Sequence, residues 1–76
     1  MNVHIIHDGA GAIASVHRTV DGAAHHLAGH AQQPVLDDGT PLSIEDLDSA
    51  LDAAPIVRVS YEGTAALIVE RHAVVV

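Results

Sequence analysis

The chain contains no cysteine, no tryptophan, no phenylalanine and no lysine, and each absence removes a class of explanation. Without cysteine there are no disulfides and no thiolate metal sites, which fits a reducing compartment. Tyr61 is the only aromatic residue, so the core must be assembled from Val, Ile, Leu and Ala. Such residues fill space in small increments and leave a sheet face or an edge that a second copy could cover, so a homodimer is expected. The only cations are Arg18, Arg58 and Arg71, against ten acids, for a formal charge of -7. A phosphate backbone is held by several basic contacts, so direct binding to nucleic acid is not expected. The longest apolar run, residues 65–69, is far short of the ~18 residues of a membrane span. Nor does the N-terminus carry a basic segment followed by an apolar stretch, so no signal peptide and a cytoplasmic location are expected.

What is present reads as one α+β domain covering residues 1–76, near the size at which a single core supplies only ~3 to 5 kcal/mol. Residues 3–7 and 12–17 are short apolar runs around the turn Asp8-Gly9-Ala10-Gly11, which predicts a β-hairpin. Thr19 or Asp21 offers a helix cap, and Val20, Ala23, Ala24, Leu27, Ala28 and Ala31 recur at helical spacing. Gly22 and Gly29 each weaken that helix by ~1 kcal/mol relative to Ala. Residues 32–40 read as a loop. A second helix then starts at Thr40-Pro41, or at Ser43 with Asp46 three positions on, buries Ile44, Leu47, Leu51 and Ala54, and ends at Pro55. Val57, Val59 and Tyr61 alternate with Arg58, Ser60 and Glu62 as a strand, and Glu62-Gly63 turns it into a last strand over 65–71. The expected order is ββααββ: a two-layer sandwich of a four-stranded antiparallel sheet with two helices on one face. The uncharged tail Val74, Val75 and Val76 extends the last strand and is the candidate dimer edge, or else completes an internal strand.

Seven histidines are a heavy load for this length. His26 and His30 are four apart, the spacing of a two-histidine metal face. Leu27 follows His26, where a zinc-protease helix of the form H-E-x-x-H requires Glu, so that hydrolytic route is excluded. A bare metal would need further ligands, for which His4, His7 and Asp8 are of the right type. The expectation is no cofactor and no metal, with His26 and His30 the weak candidates. Protonating all seven histidines would cancel the formal charge, which makes a pH-responsive binding module an alternative reading. Ser15, Ser43, Ser49 and Ser60 lack a nucleophile elbow, and Gly9-Ala10-Gly11 sits in a hairpin rather than at a strand-to-helix junction. With no large apolar side chains to line a pocket, a cavity of several hundred cubic ångströms is not expected, and neither is an enzyme.

Six of the ten acids, Asp37, Asp38, Glu45, Asp46, Asp48 and Asp52, fall in a sixteen-residue stretch that has no Lys, Arg or His. Glu45, Asp48 and Asp52 lie at i, i+3 and i+7, one carboxylate row opposite the Ile44-Leu47-Leu51 stripe. Such a row has spacings of ~5 to 6 Å, close to those of a phosphate backbone, and predicts docking on the Arg/Lys surface of a basic protein or nucleoprotein complex. Ordinary solvation of a helix face, with acids favouring its N-terminal dipole, is the competing explanation. In size, acidity, fold type and absence of motifs the chain resembles phage- and mobile-element inhibitors such as anti-CRISPR proteins, several of which mimic nucleic acid. It also resembles acidic antitoxins that neutralise basic toxins. Both likenesses rest on composition over the whole chain and bring no matched residues with them. They imply a small non-enzymatic inhibitor acting by charge mimicry, or an antitoxin or immunity-type neutraliser.

Overall fold

The fold is that of a computed structural model, which describes residues 1–29, 34–62 and 64–75. Five strands and two helices follow in the order β1 (Asn2–His7), β2 (Ile13–His17), α1 (Val20–Ala28), β3 (Val35–Leu36), α2 (Ile44–Ala53), β4 (Ile56–Tyr61) and β5 (Thr64–Ala73). All strand pairs are antiparallel, and the sheet order is β2-β1-β5-β4-β3. The α+β class, the two hairpins and the two helices agree with the sequence reading. The count of four strands and the order ββααββ do not: the chain is ββαβαββ. The added strand, β3, occupies two residues between Pro34 and Asp37, inside the stretch expected to be a loop. It is too short to show any alternation and forms because Val35 and Leu36 register on Ser60 and Val59 of β4.

Strand register sorts the side chains into two faces, because directly opposed residues point the same way. One face carries His4 and Ile6 of β1, Val57, Val59 and Tyr61 of β4, and Val69 of β5, all buried. Ala23, Ala24 and Leu27 of α1 and Leu47 and Leu51 of α2 close over it to complete one aliphatic core. α1 lies over β1 and β2, and α2 over β4. Tyr61 supplies the core's polar fastening: its hydroxyl donates to the Leu27 carbonyl at 2.9 Å, satisfying one of the carbonyls that the last turn of α1 leaves free. Burial raises the Tyr61 pKa, so the phenol stays a donor.

Gly22, which propensity marks as a weakness, stands in a tight place. A Cβ there would stand 3.2 Å from His17 Nδ1 and 3.3 Å from Thr19 Oγ1, the oxygen that caps α1 by accepting from the Gly22 amide. The last strand occupies the middle of the sheet, flanked by β1 and β4, while β2 and β3 form the edges. Of the tail, Val74 donates its amide to the Met1 carbonyl at 2.7 Å, Val75 is exposed beyond the strand, and Val76 lies outside the described residues.

Candidate interaction surface

The acids of the 37–52 stretch divide into two groups by what holds them. Ser43 is the N-cap of α2: its hydroxyl accepts from the Asp46 amide at 3.1 Å and donates to the Asp46 carboxylate at 2.9 Å, so Asp46 at the third helical position closes on the capping oxygen. In the turn before it, Gly39 adopts a positive φ of 83°, and Asp38 Oδ1 accepts from the Thr40 amide at 2.9 Å. Hydrogen bonds from the Thr40 side chain and then its backbone hold the Asp38 carboxyl below its ordinary range, so it stays ionised. Asp37, Asp38, Glu45 and Asp46 are exposed and form no ion pair among the described residues.

Asp48 and Asp52 are held differently. Arg71 rises from β5 on the helix-covered face, with one guanidinium nitrogen on Asp48 and the other 2.7 Å from Asp52. Its Nε donates to Nε2 of buried His4 at 3.1 Å, and His4 Nδ1 lies 3.3 Å from the His17 carbonyl. Facing a carbonyl on one side and an arginine N–H on the other, the His4 ring must donate from Nδ1 and accept at Nε2, the neutral tautomer. A chain of contacts thus runs from β2 through β1 and β5 to α2. The carboxylate row expected to stand without a counter-charge is therefore neutralised over its C-terminal half by a residue 19 and 23 positions away. The sequence did hold a signal. Arg71 shares the parity of buried Val69, which turns its side chain inward, and an inward arginine needs carboxylates.

Three of the four unneutralised acids, Asp37, Asp38 and Asp46, line a groove of about 440 Å³ between α2 and the β3–β4 edge, and Glu45 lies outside it. Its floor is aliphatic, with Leu36, Ala50, Ala53, Ile56 and Val57, and Asp37, Asp38 and Asp46 stand on its rim. A second cleft, about 560 Å³, opens between α1 and α2 along Ala24, Ala28, Leu42 and Ile44. Both are grooves open to solvent rather than enclosed cavities.

The histidines are distributed rather than gathered. His26 packs its ring against His17, centroids 5.5 Å apart, and His30 lies outside the described residues. Burial, then the proximity of His26 and His4, lowers the His17 pKa and favours its neutral form. Among the described residues no three His, Asp or Glu side chains converge as metal ligands. On the other side of the sheet, Glu70 receives His7 Nε2 on one oxygen and His72 Nε2, at 3.0 Å, on the other. His7 Nδ1 meanwhile accepts from the Gly9 amide, so Nε2 carries the proton towards Glu70. The hydrogen bonds from His72 and then His7 hold the Glu70 carboxyl below its ordinary range.

No protein-family model, curated protein or solved structure matches the chain. No helix among the described residues is long and apolar enough to cross a membrane.

Proposed function

We propose that this chain is a small non-enzymatic interaction protein that takes a basic surface of a partner protein against the acidic end of α2. The observation that supports this is the pairing of an aliphatic groove floor with rim carboxylates that have no counter-charge among the described residues. A groove of that kind suits a segment that alternates arginine or lysine with small apolar side chains: the apolar groups leave water on the floor while the cations meet Asp37, Asp38 and Asp46. Glu45 extends the negative field beyond the rim and steers approach. Asp48 and Asp52 contribute less, because Arg71 already answers their charge. The finer proposal is that this surface competes with nucleic-acid phosphates for its partner, as a cytoplasmic inhibitor of the phage or mobile-element type would.

Calorimetric titration with an oligoarginine–leucine peptide at low and high salt tests the reading. Saturable binding that weakens as salt rises, and is lost in Asp37→Lys/Glu45→Lys, is the expected result. Both positions are exposed and neither caps a helix, so the variant keeps the fold. No saturable binding, or binding indifferent to the two charge reversals, would overturn it.

A further inference from the structure

The sheet has a second face, and its composition is wrong for water. An antiparallel sheet covered by helices on one side ordinarily alternates apolar inward and polar outward. Here five of the eight outward positions in two adjoining rows are aliphatic as well. Register places Val16, Ile5, Glu70 and Ile56 side by side in one row, and Ile13, His7, Ile68 and Arg58 in the next. Neither helix covers these rows, and Val16 and Ile56 are 56% and 57% exposed.

We propose that a second copy of this chain packs on that open face, making a face-to-face dimer with the helices outermost. Charge selects the occupant. A chain of formal charge -7 repels its own copies over most of its surface. The open face is the exception, because among its described strand-paired positions the one acid is Glu70 and the one arginine is Arg58. The remaining acids lie in the turns, on α1, or on α2 and the loop before it. In a two-fold contact the same patch meets itself, so Arg58 of each copy is offered to Glu70 of the other while the isoleucines and valines close between them. Arg58 is exposed and forms no ion pair among the described residues, which leaves it available for that role.

The area is also adequate. At ~4.8 Å between strands and ~3.3 Å per residue, the four longer strands span roughly 19 Å by 20 to 33 Å, on the order of 400 to 600 Å² before side-chain relief is counted. A standard interface buries about 800 Å² of accessible surface per partner, which a relief-bearing face of this footprint approaches. The dimer leaves the rim carboxylates of the groove on the outer side of each protomer; Ile56 belongs to both surfaces, whereas Val16 and Arg58 line no part of the groove, so Arg58→Glu separates failure of the dimer from failure of the groove.

Sedimentation velocity on the full chain decides the matter. At roughly 100 µM, where a micromolar dimer would be almost fully formed, the wild type should sediment at twice its monomer mass of 7.9 kDa. Val16→Lys/Ile56→Lys, whose side chains reach solvent in the monomer, should sediment as a monomer, whereas Ile44→Lys on the helix layer should stay dimeric. Arg58→Glu, an exposed change that sets four carboxylates against one another, should weaken association tenfold or more and serves if the double lysine variant does not fold. A wild type that sediments as a monomer, or a dimer indifferent to Val16→Lys/Ile56→Lys and Arg58→Glu, would overturn the proposal.

Discussion

Replacing Arg71 by methionine keeps the aliphatic stem and deletes the guanidinium, so the stability lost measures the network and not the packing. Its cost can be assembled from its contacts. Asp48 and Asp52 are 50% and 73% exposed, so each of those ion pairs falls in the surface range of about 0 to 1 kcal/mol. The other side of the network weighs more. His4 is only 3% exposed, and without Arg71 its Nε2 faces no donor, a desolvated acceptor that costs about 1 to 3 kcal/mol. Together these give a loss of about 1 to 5 kcal/mol, at its upper end comparable to the ~3 to 5 kcal/mol such a small core provides. Urea unfolding followed by far-UV circular dichroism reads the loss directly. Asp48→Asn/Asp52→Asn is the comparison: it removes both carboxylate charges but leaves Arg71, 14% exposed, with amide oxygens and His4 as acceptors, and should cost less than Arg71→Met. A double asparagine variant as damaged as Arg71→Met would show that the carboxylates, not His4, dominate. A loss below about 0.5 kcal/mol in Arg71→Met would refute the network altogether.

Further outcomes follow from the same contacts. Tyr61→Phe should cost about 1 kcal/mol in urea unfolding, because the Leu27 carbonyl at the end of α1 loses its donor. Gly22→Ala should destabilise by roughly 0.5 to 1 kcal/mol despite the better helix propensity, and a gain of that size would show that His17 and the Thr19 cap yield freely. Two acid-side windows should separate in stability against pH. His17, with its folded pKa below the ordinary 6.5, takes up its proton more readily when unfolded, so stability falls as pH drops below 6.5 and His17→Gln flattens that limb. Glu70, with its folded pKa below the ordinary 4.5, contributes stability above that value which is lost as pH falls further, and Glu70→Gln should remove only this lower limb.

Local chemistry in the sequence was enough to locate β4, through the Val57-Val59-Tyr61 alternation, and α2, through the Ser43–Asp46 pair before the Leu47-Leu51 stripe. It located the first hairpin through the turn at Asp8 to Gly11. What it could not supply were relations between distant segments. β3 exists only as a partner of β4, and two residues beside a proline carry no period of their own. The Arg71 pairing joins β5 to α2 across the layer boundary, so neighbours within α2 gave no hint that Asp48 and Asp52 were answered. The open face likewise became visible only in register, because Val3-His4-Ile5-Ile6-His7 mixes apolar and polar side chains on both faces of β1. Propensity is likewise a local quantity: the crowding at Gly22 comes from a histidine on the preceding strand.

Within the 37–52 stretch, the negative charge without a counter-ion among the described residues lies at Asp37, Asp38, Glu45 and Asp46, and is answered by Arg71 at Asp48 and Asp52. Titrating the isotope-labelled chain with an oligoarginine peptide and following backbone amide shifts by nuclear magnetic resonance tests that distribution residue by residue. The largest salt-sensitive shifts should fall at Asp37, Asp38, Glu45 and Asp46, with Asp48 and Asp52 little changed. Shifts centred on Asp48 and Asp52, or spread evenly over all the acids, would contradict it.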